Sequence, residues 1–200
     1  MSERSALLGA FLAALRAALH PGRLGAESAA SIDRVFSALR TAEPASTDSP
    51  IRLPVCEHLP AALDTAGTGA SDLTALLAAF EALEPSLRWR TRQGGPTASA
   101  NFAEGHANAM IVGPSGMEPR DDVWVGVSLL APDVRYPDHD HGPEEVYLVL
   151  SPGEFRQGEG DWFAPGIGGT FYNVPNIRHA MRSGPQPLFA IWCLWADKAA

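Results

Sequence analysis

At 200 residues the chain can bury a core without staples, and its two cysteines, Cys56 and Cys193, lie far apart with no CxxC pair, so neither a disulfide framework nor a zinc ribbon is indicated. A net charge of −8 argues against nucleic acid or an anionic membrane surface as a partner, because both demand clustered Lys and Arg. A small molecule is the expected ligand and a reducing cytoplasm the expected compartment.

The N-terminal stretch MSERSALLGAFLAALRAALH resembles a signal sequence only superficially. Glu3 and Arg4 precede its apolar run, Arg16 interrupts it, and no A-x-A-like site follows. Its uninterrupted apolar run is also too short to span a bilayer. Leu8, Phe11, Leu12, Leu15 and Leu19 share one helix face before Pro21-Gly22 ends the run. Ile32, Val35, Phe36 and Leu39 repeat the period, and the Pro/Ser/Thr-rich stretch 41–50 reads as a loop. Asp72 opens a third helix whose stripe is Leu73, Leu76, Leu77, Phe80 and Leu83, with Pro85 at its exit. These elements predict a helical region over 1–86, available to cap a barrel or to form a dimer contact; monomer and homodimer are both open.

After Leu87 short apolar segments alternate with Gly, Pro, Asn and Asp, the rhythm of an antiparallel barrel over 87–200. The predicted strands are 87–91, 109–112, 123–130, 145–150, 154–156, 161–163, 170–174, 179–182 and 188–195. The polar, small-residue stretch 93–105 reads as a mobile loop, which would act as a lid if it closed over a site.

The segment Tyr136-Pro-Asp-His139-Asp-His141-Gly-Pro-Glu-Glu145-Val-Tyr147 contains H-x-H-x3-E, and Pro175-Asn-Ile-Arg-His179 follows after a hairpin and a turn. If the first segment stays extended, residues 139, 141, 145 and 147 point to one face, and His179 can arrive from a facing strand. Three imidazoles and a carboxylate suit one divalent first-row ion with a position open to substrate; zinc, iron, manganese, cobalt and nickel all fit such a set. A lone H-x-H pair would read as a solvated surface pair, but the fourth donor behind a Pro-containing turn favours metal. His20, His58 and His106 read as caps or surface groups.

At these residues the sequence resembles the cupin superfamily, whose first motif supplies His, His and Glu and whose second supplies the last His. Asp133 stands where that pattern begins with Gly, Gly153 falls one place late, and Ser183 stands where the second motif commonly ends in Asn. The implied fold is mainly β: a cupin double-stranded β-helix, or jelly-roll, behind an N-terminal helical region. The block HDHGPEEVYLVLSPGEFRQGEGDWFAPGIGGTFYNVPNIRHAMRS, the helical first half and the length resemble more closely the cupin-type dimethylsulfoniopropionate (DMSP) lyases.

That resemblance implies a carbon–sulfur lyase that splits DMSP into dimethyl sulfide and acrylate. Tyr147, two residues after Glu145, matches the proposed base. A phenol titrates near pH ~10 and needs a neighbouring cation to approach phenolate. The sulfonium of such a substrate calls for aromatic faces, which attract cations through their quadrupoles. Tyr136, Trp162 and Tyr172 are the leading candidates, ahead of Phe163, Trp192 and Trp195, which a barrel core would bury in any case. A metal-dependent dioxygenase, an isomerase or a small-ligand-binding cupin remain alternatives, because a barrel does not fix a reaction.

Overall fold

The computed structural model describes residues 3–66 and 70–196, and folds them as helices laid on an antiparallel two-sheet barrel. Helix α1 (Ala6–Ala18) starts where the Ser5 hydroxyl accepts the Leu8 N–H at 3.3 Å, and it buries the predicted stripe from Leu8 to Leu15. Helix α2 (Ala26–Ala38) turns Ile32 and Val35 inward, and α4 (Ser71–Leu83) buries Leu73, Leu76, Leu77, Phe80 and Leu83. The Phe80 ring sits 6.3 Å from Phe11 and 4.9 Å from Phe189, joining two helices to the sheet beneath. Helix α3 (Leu59–Ala66) lies outside the sequence-based reading. A 3-10 turn (Pro54–His58) runs into it, and Pro60 sits in its first turn and so costs no helical hydrogen bond. Among the described residues no helix is long and apolar enough to cross a membrane.

The larger sheet joins β1 (Trp89–Arg90), β2 (His106–Val112), β3 (Val123–Leu130), β9 (Leu188–Trp195), β5 (Glu144–Val149) and β7 (Thr170–Asn173), in that order. The smaller joins β4 (Arg135–His139), β8 (His179–Arg182) and β6 (Glu154–Gln157). Period-two patterning explains why the larger sheet is buried on both faces. Val123, Val125, Val127 and Leu129 of β3, with Phe189, Ile191 and Cys193 of β9, pack in one core with the helices. Leu130 of β3, Leu188 and Ala190 of β9, and Tyr147 and Val149 of β5 face the opposite way, into a second core between the sheets. Both cysteines are buried and free.

Four local features depart from the sequence-based reading. The run 135–139, Arg-Tyr-Pro-Asp-His, forms β4 although its pattern is not apolar; it is held by β8 through Arg135↔Arg182 and His139↔His179. The predicted strand 161–163 shrinks to one bridge, Phe155↔Phe163. Trp162 between them lies against guanidiniums instead, with Arg182 4.3 Å from its ring centre. The stretch 93–105 is tied down: the Ser99 N–H donates to Arg135 O at 3.2 Å, the Asp138 N–H donates to Thr97 Oγ1 at 2.9 Å, and the stretch closes in a short helix α5 (Phe102–Gly105) with Phe102 buried. The motif departures are absorbed. Asp133 adopts φ 57°, the left-handed conformation that glycine reaches freely, and the Ser183 hydroxyl accepts the Val134 N–H at 2.9 Å while donating to Ala131 O at 2.6 Å.

Candidate metal centre and cavity

The extended-segment expectation for 139–147 is corrected by the structure. β4 ends at His139, a turn carries His141, and β5 begins at Glu144 in the other sheet. The residues therefore converge by crossing from one sheet to the other. Alternation holds only inside β5, where Glu145 and Tyr147 point into the barrel and Val146 points to the helices.

Ligand atoms of His141, Glu145 and His179 lie within 4.8 Å of one another. The two Nε2 atoms stand 3.4 and 3.3 Å from Glu145 Oε2. His139 lies beside this triad, with its ring 4.1 Å from that of His179 and 6.4 Å from that of His141. A backbone carbonyl fixes each ring. Nδ1 of His139, His141 and His179 faces the carbonyls of Pro137 at 2.9 Å, Pro143 at 2.8 Å and Ile177 at 2.9 Å. Each Nδ1 then carries the proton, which leaves each Nε2 with its lone pair. Nε2 of His141 and of His179 are buried without a hydrogen-bond partner. Two orphaned, inward-facing nitrogens beside a carboxylate are the donor set a divalent ion takes, so the residues fit the predicted cofactor. Glu145 is held in turn: Asn173 Nδ2 donates to its Oε2 at 2.9 Å, and Gln157 Nε2 donates to Asn173 Oδ1 at 2.6 Å.

The electrostatics follow from burial and from Glu145. Burial, together with the neighbouring His179, lowers the His139 pKa to about 3. Burial also lowers His179. Burial opposes the charged form of His141 too, but its contact with Glu145 outweighs this and raises its pKa. Burial raises Glu145, and the two imidazoles pull it below the usual carboxylate range. Burial and the Glu145 charge hold the Tyr147 phenol well above its ordinary value.

His139, His141, Glu145 and Tyr147 line a cavity of about 190 Å³, whose wall also includes Arg92, Asn108, Met110, Trp124, Ser128, Tyr136 and Trp192. Trp192 lies across Gly126, where a Cβ would overlap the indole, so glycine in mid-strand makes room for an aromatic wall. A polar chain runs along it: Trp192 Nε1 donates to Ser128 Oγ at 3.1 Å, Ser128 Oγ to Asn108 Oδ1 at 2.7 Å, and Asn108 Nδ2 to Tyr136 Oη at 3.1 Å. The Tyr136 hydroxyl accepts from this chain, which leaves its own proton free for the cavity. Of the three aromatics expected at substrate, only Tyr136 lines this space. The Tyr172 hydroxyl donates to Glu144 at 2.6 Å, and that carboxylate also pairs with Arg34 of α2, toward the helices. Trp162 is occupied by Arg135, Arg156 and Arg182. Asn108, Ser128 and Trp124 escaped the sequence reading; the polar pair was signalled by alternation, as polar side chains at even positions of apolar strands.

A family model described as dimethylsulfoniopropionate lyase matches residues 27–190. The chain belongs to that family. Among curated relatives, the putative dimethylsulfoniopropionate lyase DddL of Cereibacter sphaeroides is 28% identical over 144 residues, 72% of this chain and 60% of the relative. Dimethylsulfoniopropionate lyase DddQ of Ruegeria pomeroyi is 26% identical over 148 residues, 74% of this chain and 72% of the relative. The match thus spans less than two thirds of the first relative's length. The crystal structure of DddQ from Ruegeria pomeroyi superposes with a TM-score of 0.72 at 22% identity, covering 98% of this chain and 95% of that one. A chain from the crystal structures of the DMSP lyases RdDddP and RnDddQII gives 0.73 at 23%, covering 95% and 92%. These structures share the family's barrel with its helical cover.

Proposed function

We propose that the protein is a metal-dependent carbon–sulfur lyase that cleaves DMSP to dimethyl sulfide and acrylate by β-elimination. The observation that carries the reading is the pair of buried, unpartnered Nε2 atoms of His141 and His179, set against Glu145, at the edge of a cavity that His141, Glu145 and Tyr147 line. His141, Glu145 and His179 would hold one divalent ion, with His139 adjacent as a further donor; family membership supports the substrate class. When bound, the ion supplies Lewis-acid polarisation of the substrate carboxylate and a positive charge that offsets the Glu145 carboxylate beside the Tyr147 phenol.

In this reading Tyr147, as its phenolate, takes the proton alpha to the carboxylate. As that C–H bond breaks, its electron pair forms the carbon–carbon double bond. The carbon–sulfur bond breaks with its pair going to sulfur, so dimethyl sulfide leaves neutral and needs no acid. The proton resides on the Tyr147 oxygen until solvent removes it. Stacking of Tyr147 on Phe171, with ring centres 4.9 Å apart and planes 12° off parallel, holds the phenol in one orientation. The faces of Trp124 and Trp192 offer the sulfonium a cation–π surface, and Met110, Met181 and Leu194 keep the wall apolar.

Headspace gas chromatography of metal-analysed protein mixed with DMSP, with a chelated control, tests the reading. Metal-dependent dimethyl sulfide release is the expected result, and its absence across several added metals would sink the substrate. His179→Ala should lose both metal and turnover. Tyr147→Phe should keep the metal and lose at least about a hundredfold in rate, the usual scale of a general base; a normal rate would remove the base assignment.

A further inference from the structure

We propose that Arg92 recognises the carboxylate of the substrate and so sets which end of the molecule faces the metal-binding side chains. The inference rests on the lyase reading for the identity of the substrate, and on the cavity alone for the chemistry of its anionic end.

Arg92 is the one permanently charged cation among the described residues that line the cavity, in a chain whose net charge is −8. Its backbone is held while its head group is not. The Arg92 N–H donates to Nε2 of the buried His106 at 2.8 Å, and His106 is secured at its other nitrogen by the Phe102 carbonyl. The guanidinium makes no hydrogen bond or ion pair with any described residue. Its central carbon stands 5.9 Å from the Tyr136 ring, and that ring lies 4.9 Å from His139. A held backbone, five unused donors and a neighbouring cluster of proposed metal ligands describe a receptor for a planar anion, which a guanidinium engages through two parallel hydrogen bonds.

The same charge orients a zwitterion. A sulfonium approaching the Arg92 end is repelled, whereas the indoles of Trp124 and Trp192 attract it. A short acid with a cationic tail therefore has one favourable orientation, with its carboxylate and alpha carbon on the Tyr136–His139 side. Neutral esters and amides of the same acid lose the paired contact and should bind poorly.

The test is calorimetric titration of propionate, a non-reacting carboxylate, into the metal-loaded protein, alongside competition by trimethylsulfonium, which carries only the cation. Arg92→Met should weaken propionate by about tenfold or more, Arg92→Lys should lie between the two because it keeps the charge without the fork, and trimethylsulfonium should be unaffected in both. Arg40→Met, which removes a charge from the helical layer, should bind propionate as the wild type does. Metal content, measured on each variant, should be unchanged. Unaltered propionate binding in Arg92→Met would overturn the inference, and so would a loss explained by departed metal or a wild type that fails to bind propionate. If the wild type releases no dimethyl sulfide yet its propionate affinity falls in Arg92→Met, the lyase reading fails and the carboxylate site stands.

Discussion

His106 illustrates how far a residue's role depends on partners that sequence does not name. Read as a loop or surface group, it is instead fully buried at the start of β2, stacked on Phe102 with ring centres 3.6 Å apart and edge-on to Tyr136. Its Nε2 must stay unprotonated to accept from Arg92. Burial lowers its pKa, the Phe102 carbonyl works against that, and the Arg92 charge adds to it. The unfolded chain takes up a proton near pH ~6.5 that the folded chain refuses, so this group costs stability as pH falls from ~6.5 toward the lowered value and is silent above it. Urea midpoints should fall more steeply between pH 7 and 5 in the wild type than in His106→Gln; parallel slopes would refute the assignment. The cluster of His141, Glu145 and His179, with His139 beside it, was legible because H-x-H-x3-E and a later His name such side chains directly. Tyr172 and Trp162 were misplaced because an aromatic's identity says nothing of which face its strand presents: Tyr172 pairs across β5 with Val146, a residue turned to the helices.

At the scale of elements, the turns were read less well than the strands they join. Strand β3 matches its apolar run because alternation and length agree, whereas β4 was missed because Pro137 and four polar or aromatic neighbours conceal a segment held by pairing. The turn before His179 shows what such a connection contributes. Val174 O accepts from the Ile177 N–H at 3.2 Å, Pro175 takes the second position and Asn176 the third at φ 60°, a type II geometry. The Asn176 N–H then donates to His141 O at 3.0 Å, which clips the turn before His179 to the turn carrying His141. Asn176→Val should destabilise by about 1–3 kcal/mol, because a β-branched residue is strained there. Asn176→Gly should be close to neutral. Equal denaturation midpoints for valine and glycine would show that the conformation carries no cost.

Across the whole molecule, the proposed metal ligands tie the two sheets together, since Glu145 comes from the larger sheet and His179 from the smaller. An ion held there stabilises the folded chain by mass action, about 2.7 kcal/mol at a hundredfold excess over its dissociation constant. For a chain of this size that is a melting-temperature rise of roughly 5–10 °C, which a chelator should reverse in differential scanning. Identical melting with and without chelator would mean that the ion does not bind the native fold. The helical layer was legible from heptad-like spacing, but the strand order, in which β9 lies between β3 and β5, rests on long-range pairing that no local pattern encodes.

The adjacent carboxylates Glu144 and Glu145 face opposite ways: the first is gripped from the helical side by Arg34 and Tyr172, the second from within by Asn173. A strand slipped by one residue would still offer the cavity a carboxylate, so the donor alone cannot police its own alignment. What such a slip would forfeit is the phenol, because valine would take the place of Tyr147 inside the barrel. The grip on Glu144 thus acts as a keyed joint, through which a contact on the far side of the sheet decides that the protein assembles with its reactive face showing.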